Sequence, residues 1–278
     1  MKHRVNTGIA ILLLCSLALA CSFLRPKPSL NWHVTLEIDK SVADREAATS
    51  QALRVLDTRL NALGVSNFDV QMLGTPSDGR ILVNLPNVKD RERLKQLLSA
   101  EGRLEISHVI SPPSPVPPQV YQSKQDGEVS LGATMPSNRR VLPYSERSDQ
   151  IPGDKTSPPV EAHQKWIVVE SPAIIDGTDL RDARAIEAYS GSDAYSISFA
   201  LKPAGAQKFG EWTGANINEY MAVILNGEVK SVAYIKSQIF DSGEISGRYT
   251  RQSAEDLALT LRSGALPKLK IVEEGPNN

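Results

Sequence analysis

Residues 251–267 read RQSAEDLALTLRSGALP, and the sequence runs on only to Asn278. Ser253, with Asp256 three residues on, predicts a helix start of the capping-box type, Asp standing in for the preferred Glu. Ala254, Leu257, Ala258 and Leu261 recur on one face at helical spacing. Gly264 falls where a left-handed C-cap belongs, and Pro267 blocks continuation. Leu269–Val272 then reads as a strand. An amphipathic helix and a strand therefore stand at the far end of the chain, and the elements they pack on must come from upstream.

Upstream, residues 32–110 keep a clear rhythm. Val34, Leu36 and Ile38 alternate, as a strand with one buried face does. A helix is expected from about Ala43 to Leu63, with Leu53, Leu56, Leu60 and Leu63 on one stripe and Gly64 at its end. Phe68–Leu73 reads as a second strand. Thr75-Pro76-Ser77-Asp78-Gly79 is a strong turn signal and leads into a third strand, Arg80–Leu85. Val88–Ser99 reads as a short helix with Leu94, Leu97 and Leu98 inward, and Arg103–Ile110 as a fourth strand. The order βαββαβ is that of the ferredoxin-like, split-βαβ unit, an α+β arrangement with two helices on one face of a four-stranded sheet.

Residues 111–164 break the rhythm. SPPSPVPP at 111–118 cannot enter a sheet interior and favours extended polyproline geometry. The remainder is polar with scattered Gly and Pro, so the stretch reads as a flexible insertion. Order returns over 165–250. Trp166–Val169 reads as a strand and Asp179–Ala185 as a short helix, with Asp179 and Asp182 at its N-terminus and Arg181 and Arg184 on its solvent face. Tyr195, Ile197, Phe199 and Leu201 alternate as a strand. Pro203 suits a helix start, and that helix would carry Ala206, Phe209, Thr213, Ile217 and Tyr220 on one face. Ala222–Leu225, Asn226-Gly227 and Glu228–Lys230 form a hairpin signature of type I′. Ile245–Tyr249 is another short strand.

Composition narrows the function. At 278 residues there is room for one large domain or two modest ones. A net charge of −1 gives no footprint for nucleic acid or acidic lipid, and 5% aromatic residues leave few rings to stack on bases. No phosphate-binding loop and no G-x-S-x-G elbow occur, so neither cofactor nor catalytic centre is expected, and the chain does not read as an enzyme. The four histidines, His3, His33, His108 and His163, are dispersed without metal-ligand spacing and read as incidental, so no metal site is expected.

The N-terminus reads as an address. Lys2, His3 and Arg4 precede an uncharged apolar run, Gly8–Leu24, which sets the N-terminus on the cytoplasmic side and the remainder outside. Ala18-Leu19-Ala20-Cys21 resembles a lipobox, with Cys21 as the lipidated residue. Ordinary signal cleavage and an uncleaved single anchor are the alternatives. Both cysteines, Cys15 and Cys21, lie in this run, so the rest of the chain has no disulfide framework.

Taken in order, RVLDTRLNALGV (54–65), RILVNLPNVKD (80–90), IIDGTDLRDAR (174–184), YSISFALKPAGAQKFG (195–210), AVILNG (222–227) and ISGRYTRQSAEDLALTLRSGAL (245–266) resemble the first periplasmic domain of SecD, a membrane component of the Sec export machinery. The resemblance covers most of residues 32–273 outside the insertion. It implies a base lobe of residues 32–110 completed by the C-terminal helix and strand, 251–273, and a smaller α+β head lobe of residues 165–250. It further implies a module in the bacterial envelope, anchored at the inner membrane through residues 1–24 with its folded part in the periplasm. Its partners would be Sec translocon subunits or unfolded exported polypeptides. The membrane helices that follow this domain in the family, with the acidic residue proposed to couple protons there, have no counterpart in the sequence, so the resemblance implies a stand-alone module that draws energy from a partner or binds passively. An envelope structural or regulatory lipoprotein reusing the same fold is the alternative. Phe199, Trp212 and Tyr220 are the candidate peptide-contact residues, lining an apolar groove or else forming the head's own core. The hairpin edge Glu228–Ile235 is a second candidate, for strand addition.

Overall fold

WHVTLEI and RILVNL supply the two central strands of the first sheet, and their alternation is what the core uses. Val34, Leu36 and Ile38 on β1 (Trp32–Ile38) and Ile81, Val83 and Leu85 on β3 (Arg80–Leu85) are fully buried. The structure is a computed structural model and describes residues 29–132, 134–144, 164–188 and 195–277. The apolar run with Cys21, and residues 145–163 of the Pro-rich stretch, lie outside the described residues. With β2 (Asp69–Leu73) and the C-terminal strand Leu269–Pro276, which is β13, the sheet has the order β13-β1-β3-β2, antiparallel throughout. Helices α1 (Arg45–Ala62) and α2 (Arg91–Ser99) cover one face, bringing Ala52, Leu56, Leu60, Leu94 and Leu98 into that core. Asp44 and Asp90 cap them, accepting from the backbone N–H of Ala47 and Arg93.

The fourth strand departs from expectation. β4 (Leu104–His108) is a strand, but it belongs to another sheet, and β13 occupies the edge beside β1. Alternation tells that Leu104 and Ile106 face a core, not which one. Gly102, at φ 69°, turns the chain away, and a Cβ there would lie 2.4 Å from Thr260 Cγ2.

β4 joins a six-stranded sheet with β5 (Arg139–Tyr144), β6 (Lys165–Glu170), β7 (Ile175–Asp176), β10 (Tyr220–Leu225) and β11 (Glu228–Tyr234), in the order β6-β5-β11-β10-β4-β7. The sheet curls until Val109, just past β4, bridges Val169 on β6. Val109, Ile167, Val169, Tyr220, Ala222, Ile224 and Val229 fill the inside of the curl. The Pro-rich stretch thus contributes structure where a flexible insertion was expected. It holds a helix, α3 (Lys124–Ser130), capped by Ser123, and the strand β5. Its prolines do not run straight, because Val116 N–H turns back to the Pro113 carbonyl. Pro143 and two adjacent arginines disguised β5. In the β10–β11 turn, Asn226 (φ 53°) and Gly227 (φ 82°) take the expected positive angles.

The third sheet, β12-β9-β8, is built from β8 (Leu180–Glu187), β9 (Tyr195–Leu201) and β12 (Ser242–Tyr249). Residues 179–185 were expected as helix. From Leu180 they form a strand instead, in register Ala183↔Phe199, and Asp179 ends the 3-10 turn Gly177–Asp179 that leads into it. Asp179 still serves a turn start, accepting from Asp176 N–H, whereas Asp182 lies in the strand and pairs with Arg184.

The C-terminal helix α5 (Arg251–Ser263) packs chiefly on β8 and β9, with Ala254, Ala258 and Leu261 in the same core as Ile197 and Phe199. It was expected to complete the first lobe, and it reaches that lobe only through the Asp256–Arg93 ion pair and its last turn. Its cap is Thr250 rather than Ser253, the Thr250 hydroxyl accepting from Ser253 N–H. Gly264 has positive φ (95°) with ψ 163°, so the chain leaves the helix extended rather than curling into a left-handed cap.

Two crossings join the lobes, residues 100–103 and 264–268, and Leu266 N–H donates to Glu101 O across them. Arg59, fully buried on α1, holds both. Its guanidinium donates to the carbonyls of Leu97, Ala100 and Gly264 and to the Ser263 hydroxyl, at 2.6 to 3.0 Å. The C-terminal ends of α2 and α5 thereby share one cation, which suits their dipoles. Burial lowers its pKa to about 10, so it remains charged at neutral pH.

Candidate functional site

Helix α4 (Pro203–Ala215) starts on Pro203, whose missing N–H is not needed there. Phe209 and Thr213 are its buried anchors. The helix ends at Ala215, so Ile217 and Tyr220 do not share its face. Ile217 is 46% exposed and Tyr220 opens β10.

The segment between β11 and β12 is strapped across α4. Thr213 Oγ1 accepts from Ile239 N–H at 2.9 Å and donates to Phe209 O, while Gln238 Nε2 donates to Gly210 O. A Cβ at position 214 would lie 3.3 Å from Gln238 Cδ, so the glycine lets the strap sit close. The strap leaves Phe240 66% exposed.

The three candidate contact residues are not brought together. Phe199 is 3% exposed and sits in the core over Gly243, where a Cβ would lie 2.5 Å from its ring. Tyr220 is 9% exposed inside the curled sheet, its hydroxyl donating to Val116 O at 2.9 Å. Trp212 is half-buried on α4, its indole edge-on to the His108 imidazole with centroids 5.4 Å apart. The hairpin edge proposed for strand addition is partly taken, since β11 meets β5 through the Val229–Tyr144 bridge. An open cleft of about 510 Å³ lies beside β8 and β9, lined by Arg181, Asp182, Arg184, Ser198, Phe199 and Ala200.

His108 is not incidental. Its Nδ1 lies 3.3 Å from Glu170 Oε2 on β6, and its Nε2 lies 3.6 Å from Glu219 Oε2 in the turn before β10. Glu170 is also ion-paired with Arg139 on β5, which together with His108 holds its pKa below the ordinary carboxylate value against the opposing effect of burial. Among the described residues no three His, Cys, Asp or Glu side chains gather as a metal would require, and no helix is long and apolar enough to cross a membrane. No local pattern marks Arg59 within RVLDTRLNALGV, because its partners lie at the ends of two other helices. Phe240 carried one usable signal, a ring in a chain with five phenylalanines, on a segment without strand or helix pattern.

Two family models match this chain. One is the SecDF P1 head subdomain, over residues 152–268, and the other is the N-terminal part of the P1 domain of protein translocase subunit SecDF, over residues 49–111. The chain carries the periplasmic P1 region of the SecD family. It is 36% identical over 236 residues to protein translocase subunit SecD of Koribacter versatilis, covering 84% of this chain and 39% of that protein. To SecD of Aquifex aeolicus it is 32% identical over 234 residues, covering 83% and 40%. The chain spans about two fifths of the length of these SecD relatives. Among solved structures it is similar to SecDF in a super-membrane-facing form, with TM-score 0.62 and 27% identity over 95% of this chain and 34% of that one. It is also similar to a SecDF structure of a membrane component that enhances protein export, with TM-score 0.60 and 28% identity over 87% of this chain and 98% of that one. The P1 head model runs through α5 to residue 268, the stretch that packs on the three-stranded sheet.

Proposed function

We propose that this chain works in Sec-dependent protein export as a membrane-tethered periplasmic module that makes transient contact with exported polypeptide or with translocon subunits. The observation that carries the reading is the match to a SecDF structure of which the chain covers 98%, from a component that enhances protein export. In this reading residues 29–99 and 269–277 form the base, a ferredoxin-like lobe with β13 in the place of the fourth strand. Residues 104–263 form the head. The N-terminal run provides the tether, with Cys21 as its lipidation site. The role calls for binding rather than catalysis. Trp212 and Phe240 are the polypeptide contacts, because an aromatic ring offers large area at low entropic cost, and Phe199 belongs to the core on which Trp212 packs.

The test is photo-crosslinking in cells from a benzophenone amino acid placed at position 212 or 240. Adducts with exported precursors or Sec subunits are expected, and none from position 129, an exposed valine on α3. Equal labelling from all three positions, or none from any, would overturn the reading.

A further inference from the structure

Three stretches of the head meet beyond the end of β4. They are residues 111–118 of the Pro-rich turn, residues 212–218 at the end of α4, and residues 231–235 at the end of β11. In a chain with 23% charged residues, none of the three carries one. Asn218 joins them. Its carbonyl accepts from Ser114 N–H at 2.8 Å, its Oδ1 accepts from the Tyr234 hydroxyl at 2.6 Å, and its own N–H donates to Ile235 O at 3.0 Å. It does so at φ 76°, a conformation that Asn tolerates better than most residues. The Tyr220 hydroxyl holds Val116 O, and the Tyr220 ring lies 5.9 Å from that of Tyr234.

The joint presents apolar surface. Val116 is 49% exposed, Ile217 46% and Tyr234 36%, and the prolines at 112, 113, 115 and 117 are exposed on either side of Val116. The surface is preorganised. The Tyr234 ring is fixed through its hydroxyl and the prolines have little freedom left to lose, so binding orders little. Size and charge then choose the occupant. The exposed parts amount to roughly a few hundred Å², a scale at which an apolar patch marks a binding site. That is short of the roughly 800 Å² per partner of a stable interface between folded proteins, a second copy of this chain included. Without charge the joint offers an anionic membrane surface nothing. An uncharged apolar segment of an unfolded chain meets both limits. The joint is also continuous with the contact assigned to Trp212, since Asn216 Nδ2 donates to Trp212 O at 2.7 Å and Ile217 follows directly.

We propose that this joint is a further docking site of the head, and that its occupant is an apolar, uncharged stretch of exported polypeptide running on from Trp212 over Ile217 to Val116 and Tyr234. The inference rests on the export reading and adds to it the class of segment bound. A stretch bearing Asp, Glu, Lys or Arg is refused, because docking would strip water from its charge and supply no partner for it.

The experiment is photo-crosslinking in cells from a benzophenone amino acid at position 116, with positions 212 and 129 run alongside. Two exported precursors are compared, identical except that one carries an apolar, uncharged segment and the other has Asp and Lys placed within it. Position 116 is expected to label the first, with a yield about 5-fold lower for the second. Ile217→Asp should lower the yield from 116 by a similar factor, and Val116→Asp should do the same to labelling from 217, so the test survives if one variant fails to fold. Labelling of the precursor from 212 with none from 116 above the level of 129 would overturn this inference and leave the export reading standing. Labelling from neither would overturn both. Equal yields from the two precursors, or adducts from 116 only with Sec subunits or a second copy of the chain, would overturn the occupant named here.

Discussion

Arg59 Nη2 lies 3.0 Å from the carbonyl oxygen of Gly264, and this contact joins a helix near the beginning of the chain to the end of one that arrives about two hundred residues later. The same guanidinium holds the end of α2. Arg59→Met should keep the packing of the stem and orphan three carbonyls, with a loss of about 3 kcal/mol. Arg59→Lys should lose nearly as much, because one ammonium cannot span both helix ends. Urea unfolding of the two variants checks this.

The ion pair between Arg93 and Asp256 joins α2 to α5 at 2.6 Å in a partly exposed place. Asp256→Asn should cost under about 1 kcal/mol, and the difference should shrink in high salt. A loss as large as that of Arg59→Met would mean that the surface pair, rather than the buried cation, carries the joint.

Gly102→Ala should destabilise by about 2–3 kcal/mol, because a side chain at positive φ would also meet Thr260 Cγ2. Thr260→Ser removes that methyl and leaves the hydroxyl bond to Asp256 O. In the double variant about 1 kcal/mol should return, measured by a thermodynamic cycle.

Phe199→Ala should cost about 3–5 kcal/mol as a core deletion, whereas Phe240→Ser should stay within about 0.5 kcal/mol and lower crosslinking from position 212. Thermal unfolding separates the two rings, one filling a core and the other presented at the surface.

The Glu170 carboxylate, paired first with Arg139, has a lowered pKa in the folded chain. The unfolded chain therefore binds that proton more readily. The contribution is whole above the ordinary value of 4.5 and fades as pH falls through the folded value. Glu170→Gln should flatten part of the acid limb of a stability-against-pH curve, by under about 1 kcal/mol given its partial exposure.

Local chemistry was legible and partnership was not. RILVNL was readable as a strand with its ends, and Leu94, Leu97 and Leu98 as a buried face, because alternation and helical spacing are local properties. The Asn-Gly hairpin was readable for the same reason. That β4 leaves the first sheet and β13 replaces it is decided by Gly102 passing under Thr260, a contact between residues far apart in sequence. LRDARAIE satisfied helix and strand patterns alike until β9 took it as a neighbour. The chain was recognisable from its ordered motifs, yet two of its three proposed contact rings proved to be core, since an aromatic side chain serves a lobe's interior as readily as its surface. His108 gathered partners from β6 and the turn before β10, which no spacing rule along one strand could reveal.

The pairing of β1 with β13 has a mechanical consequence. Trp32 opposes Pro276, and Asn277 N–H donates to Asn31 O, so both flanks of the folded part emerge side by side at one corner. A force drawing residues 31 and 277 apart would load the ladder one rung at a time, from Trp32–Pro276 inward, as a zipper opens. Tension from either flank would thus strip the sheet's edge before it reached Arg59 or the head.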